Sequence, residues 1–150
     1  MQSDLPCVSQ NQLRKWSKLA EVKYCRDYGL FIAEGAKAVL GWKSPNFVYH
    51  SALNPNLKLL LKNDKLSDDI AFRFSNYNWS EYPLVADKFI DWIQKTPEKE
   101  QVINLFMNYE TFGNLQPKES GIFEFLKALP KFAFKKGIEF STPSEVSSLV

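Results

Sequence analysis

The chain has 150 residues, 45% of them hydrophobic, 24% charged and 15% aromatic, with a formal net charge of +2. This is the composition of an ordinary globular domain, and the charge is too mild to call for a nucleic acid or an anionic membrane as partner. Cys7 and Cys25 supply neither a CxxC pair nor a disulfide framework, and the single histidine, His50, excludes a multi-histidine metal centre.

The opening MQSDLPCVSQ has no basic n-region and no apolar run, so it does not read as a signal peptide. No stretch approaches the roughly 18 apolar residues of a membrane span, and a reducing cytoplasm is the expected compartment. Leu13, Trp16, Leu19, Ala20 and Tyr24 recur at helical spacing behind Ser9, which predicts a helix over 10–26. Gly29 ends it, and the apolar residues 30–33 read as a strand. The turn-rich stretch 41–55 encloses a short strand at Phe47, Val48 and Tyr49, and His50 falls in an exposed loop behind it. Residues 57–61 form a second apolar run, stopped by Asn63 and Asp64.

Ser67, Asp68 and Asp69 read as the capped N-terminus of a short helix, their charges suiting its dipole. Residues 83–94 predict a helix with Pro83 in its first turn and Leu84, Ala86, Phe89, Ile90 and Ile93 inward. VINLFM at 102–107 is the strongest strand signal, nearly all apolar as in a strand buried on both faces of a parallel sheet. A polar loop at 111–118 leads to a helix over 120–134, in which Pro130 is a candidate break. A last short strand is expected at 138–140. Thr142-Pro143-Ser144-Glu145 is a capping pattern that opens a terminal helix. The strand-to-helix alternation predicts an α/β chain on a mostly parallel open sheet with flanking helices, with too few strands to close a barrel.

Five segments then carry a likeness: LGWKSPNFVY, LKLLLKNDKLSDDIAFRFS, EYPLVADKFIDWI, INLFMNYETFG, and GIFEFLKALP with FSTPSEV. In this order, over about residues 36–146, they resemble the α-amylase-like branch of glycoside hydrolase family 57. The resemblance implies a partial (β/α) barrel fragment over 36–150, acting on or binding α-glucans with retention of configuration. The family uses a glutamate nucleophile and an aspartate acid/base, the latter in a segment resembling FMDYETFGEHQW. Here that segment reads FMNYETFGNLQP, so Asn108 stands where the aspartate belongs. The part of the family expected before Ala36, with the nucleophile's motif, has no match. Residues 1–35 are instead similar to the opening of SpoU-type RNA 2′-O-ribose methyltransferases, which implies a separate N-terminal helix and strand.

Retaining glycosidases need two carboxyl groups about 5–5.5 Å apart. An amide at 108 cannot protonate a leaving group, so the chain is expected to be inactive alone. Glu110 would share a side with Asn108 if the strand ran on, and Tyr109, Glu110, Trp42 and Trp79 are the candidate contacts to a maltooligosaccharide. Asp68 and Asp69, adjacent on a helix, would point about 100° apart and form no dyad. Arg73 is expected in a structural ion pair. With its glycines scattered, the chain has no phosphate loop, and no cofactor or metal is expected.

Two other readings stand beside this one. The basic residues Arg14, Lys15, Lys18 and Lys23 would suit an RNA-binding accessory module. A truncated or fused product would have an open sheet that leans on self-association.

Overall fold

The structure is a computed structural model that describes residues 44–51, 54 and 56–148, together with the backbone of 7–8, 22–25 and 30–33. The chain divides into two compact units. One comprises Met1–Asp64, Lys99–Phe106 and Ser141–Val150, the other Lys65–Glu98 and Met107–Phe140.

The first unit carries the sheet: β1 (Cys7–Val8), β2 (Val22–Cys25), β3 (Leu30–Ala33), β4 (Tyr49–Ser51) and β5 (Lys58–Leu61), in the order β1-β4-β5-β3-β2. β1 with β4 and β3 with β5 are parallel, whereas β2 with β3 and β4 with β5 are antiparallel. The sheet is therefore mixed rather than mostly parallel. The cause lies in the connections. Parallel neighbours need a crossover of about a dozen residues or more, and the short segments 26–29 and 52–57 can only turn back. β5 has β4 on one edge and β3 on the other, and the uninterrupted burial of Leu59, Leu60 and Leu61, whose side chains alternate between faces, means that both faces of the strand are covered.

Val22–Cys25 is β2, so the expected helix over 10–26 does not reach its last turn; residues 10–21 lie outside those described. The pairs Val22↔Ala33 and Tyr24↔Phe31 put that segment in a ladder with β3, and the ladder overrides the helical spacing. His50 lies inside β4 and is half-buried, not in an exposed loop.

VINLFM departs furthest from expectation, because 102–107 forms no regular strand. Val102 and Phe106 pack on the core made by Val48, Leu60 and Val146. Isolated long-range hydrogen bonds, from backbone and side-chain amides together, stand in place of a regular ladder. Asn104 Nδ2 donates to the Leu61 carbonyl at 3.0 Å, and the Gln101 and Val102 amides both donate to the Asn46 carbonyl, at 2.9 and 3.2 Å. Asn46 in turn donates to Glu100 and accepts from Asn63 Nδ2, while Val48 N–H donates to Gln101 Oε1.

The second unit is helical: α1 (Asp64–Ala71, entered from the first unit), α2 (Ala86–Gln94) and α3 (Ile122–Lys135). α1 begins at Asp64 rather than at Ser67, since Leu66 and Ile70, one turn apart, already supply a buried stripe. Ser67 and Asp69 are consequently inside the helix and buried, not at its N-terminus. α2 starts at Ala86, because Val85 is still extended (φ −115°, ψ 157°). α3 passes through Pro130 unbroken. Phe125 stands edge-on to Phe74 at 5.2 Å and to Phe89 at 5.7 Å between ring centroids, and all three rings are buried.

No strand forms at 138–140. There the backbone closes α3 instead: Gly137 takes φ +71° and the Ile138 amide donates to the Ala133 carbonyl at 3.0 Å, a left-handed helix cap. The last helix, α4 (Pro143–Ser148), belongs to the first unit and has the expected capping box. The Thr142 amide donates to Glu145 Oε2 at 2.6 Å and the Glu145 amide returns to Thr142 Oγ1 at 3.4 Å.

Candidate functional site

The residues singled out by sequence begin where the extended segment ends. Asn108 is extended (φ −67°, ψ 148°) and caps a single 3-10 turn, Tyr109–Thr111, closed by the Thr111 amide on the Asn108 carbonyl at 3.0 Å. Asn108, Tyr109 and Glu110 are all exposed, Tyr109 almost wholly so at 95%. The strand therefore does not continue to Glu110, and the expected alternation fails. At about three residues per turn, positions two apart diverge by roughly 120° instead of sharing a side.

This exposed turn stands on a compact base. The Leu115 amide donates to the Glu110 carbonyl, the Gln116 amide to the Thr111 carbonyl, and the Gly113 amide to the Gln116 carbonyl, at 2.9–3.0 Å. Gly113 sits at φ +104°, where a side chain would be strained. Thr111 and Gln116 are buried, and Gln116 Nε2 donates to the Ala71 carbonyl at the end of α1, 2.9 Å away. Gln116 escaped the sequence reading, because nothing local signals a partner so distant in the chain.

Asp69, on the same helix, is the buried carboxylate of the second unit. One oxygen pairs with Arg73 at i,i+4, which meets the expectation of a structural ion pair for Arg73. Burial drives the Asp69 carboxyl above the ordinary aspartate range, and the Arg73 guanidinium pulls against that shift. Asp69 Oδ2, Thr111 Oγ1 and Gln116 Oε1 are buried without a hydrogen-bond partner among the described residues.

Trp79 is half-buried and meets Trp92 edge-on at 6.1 Å, so much of its ring serves packing. Trp42 lies outside the described residues, as do Arg14, Lys15 and Lys18. Among the described residues no group of three His, Cys, Asp or Glu could hold a metal ion, and no helix is long and apolar enough to cross a membrane. The Asn108 turn thus presents an amide, a phenol and one carboxylate to solvent. Those groups can hydrogen-bond and stack.

The sequence model of glycosyl hydrolase family 57 matches residues 16–150. A protein of Methanocaldococcus jannaschii named "Putative alpha-amylase" is 47% identical over 127 residues, which are 83% of this chain and 26% of that relative. The chain accordingly spans about a quarter of the relative's length. No solved structure matches it. The family match starts well ahead of residue 36, and the comparisons lend no support to the SpoU likeness of residues 1–35. The chain belongs to glycosyl hydrolase family 57.

Proposed function

We propose that the chain is an α-glucan-directed member of its family that engages maltooligosaccharide but does not cleave it by itself, its sheet being a section of the family's barrel-like fold. The observation that carries this reading is the exposed turn at 108–110, which offers Asn108, Tyr109 and Glu110 together to solvent. With Asn108 in the acid/base position, the leaving oxygen has no proton donor. An amide nitrogen has no titratable proton near neutral pH, and general acid–base help is worth roughly 10²–10⁴ in rate. Tyr109 gives a flat ring for a pyranose face and Glu110 an acceptor for its hydroxyls. The half-buried Trp79 adds a further contact.

The test is a titration with maltoheptaose followed by tryptophan fluorescence, alongside a reducing-end assay on soluble starch. The expected result is a saturable change at millimolar sugar with no release of reducing ends. The absence of any saturable change rejects the binding reading, and release at the rate of intact relatives rejects the inactivity.

A further inference from the structure

We propose that Tyr77 and Tyr82, on the loop between α1 and α2, form a second stacking platform for an α-glucan chain, on a different loop from the Asn108 turn. This rests on the α-glucan reading of function and extends it to residues that no likeness assigns.

Tyr77 is 79% exposed, an unusual setting for a large ring that has apolar surface to hide. Its ring lies 4.6 Å from that of Tyr82, tilted by 48°. The pair is held from below by successive tight turns: the Asn76 amide on the Arg73 carbonyl, the Trp79 amide on the Asn76 carbonyl, and the Tyr82 amide on the Trp79 carbonyl, at 2.9–3.0 Å. The Asn78 amide closes a further turn on Asn76 Oδ1 at 3.0 Å.

α2 fixes the loop from the other side. Lys88 Nζ donates to the Glu81 carbonyl at 2.8 Å and pairs with the Glu81 carboxylate at 2.9 Å, with its charge 5.5 Å from the centre of the Trp92 ring. Trp92 meets Trp79 edge-on. Rings fixed in this way need little further ordering when a ligand arrives, so more of the stacking energy appears as affinity.

The loop's polar residues suit a saccharide. Asn76, Asn78 and Ser80 are exposed and alternate in sequence with Tyr77 and Trp79, bringing amides and a hydroxyl to the same loop. A pyranose presents C–H faces to a ring and hydroxyls at its rim, and this loop matches both.

The test is retardation of the full chain in native gels containing glycogen, run beside gels containing carboxymethylcellulose. Tyr77→Ala, at a position mostly in water, is expected to weaken glycogen retention roughly three- to tenfold, and Tyr77→Trp to preserve it. Tyr109→Ala separates the two loops. If the native chain is retained and Tyr77→Ala is retained equally, the platform is wrong while the functional reading stands. If the native chain is not retained at all, the functional reading itself falls and the platform with it. Equal retention in carboxymethylcellulose overturns the assignment to α-glucans.

Discussion

The carboxamide of Gln116 donates to the carbonyl of Ala71, the last residue of α1, across 2.9 Å. The final carbonyls of a helix have no partner within it, so this bond both finishes α1 and pins the loop that starts at Asn108. Gln116→Ala leaves that acceptor buried and unmatched, at a cost of about 1–3 kcal/mol. Loss of the unpartnered Gln116 Oε1 places the value toward the lower end. Chemical denaturation should read the destabilisation, and hydrogen exchange should quicken over 108–116. Unchanged exchange there would mean that the base of the turn does not depend on Gln116.

Phe125 carries the second unit's aromatic centre, edge-on to both Phe74 and Phe89. Phe125→Ala removes a ring that is 4% exposed, and the surrounding helices can collapse only partly into the space. The expected cost is about 3–5 kcal/mol. A loss below about 1 kcal/mol in urea unfolding would show that these rings do not pack as described.

These contacts also mark how far the sequence could be read. α2, α3 and the α4 capping box rest on nearby residues, through apolar spacing or a hydroxyl and carboxylate three positions apart, and they were legible. β5 was legible as well, because a strand buried on both faces is apolar throughout. VINLFM has the same look, yet its outcome is decided by Asn104 reaching the Leu61 carbonyl, a partner 43 positions away. β2 was hidden by helical spacing that ran on into it, and only its ladder with β3 reveals it. At the candidate site, the motif picked out Asn108, Tyr109 and Glu110 but not their exposure. The turn that separates Glu110 from it depends on Thr111 and Gln116 being buried, which no local pattern encodes.

The raised Asp69 carboxyl has a definite consequence for pH. Burial is the larger cause, so the native state holds this proton at a pH where the unfolded chain has released it. The contribution to stability is then full below the unfolded aspartate value, about pH 4, and is lost as pH rises through the higher native value. Asp69→Asn cannot titrate. The melting temperature of the native chain minus that of the variant should therefore fall as pH rises from about 3 toward neutrality. A difference that grows with pH would show that the Arg73 pairing outweighs burial.

Glu145 has the opposite sign. Its carboxylate accepts from the Thr142 amide and then from the Thr142 hydroxyl, and both hold its pKa below the ordinary glutamate range. What it adds to stability is present above the unfolded glutamate value and disappears as pH falls through the lower native one. Carboxyl-carbon NMR should show Glu145 titrating below the ordinary glutamate range. In Thr142→Ala it should move part of the way back, because the backbone bond survives. A titration that does not respond to the substitution would remove the hydroxyl from the cap.

On the proposed function, a carboxyl at position 108 should not by itself bring about cleavage. Asn108→Asp would place a carboxyl at the start of the 3-10 turn, where the nearest carboxyl in sequence is Glu110. Retaining hydrolysis needs two such groups converging from opposite sides of the glycosidic bond, about 5–5.5 Å apart. Residues two apart across a tight turn diverge, so Glu110 is badly placed to serve as the second. Asn108→Asp is therefore expected to release no reducing ends from soluble starch above the native chain's background, while maltoheptaose still perturbs tryptophan fluorescence. Cleavage that appears in Asn108→Asp and vanishes in Asn108→Asp with Glu110→Gln would assign Glu110 the nucleophile's part and refute the divergent geometry.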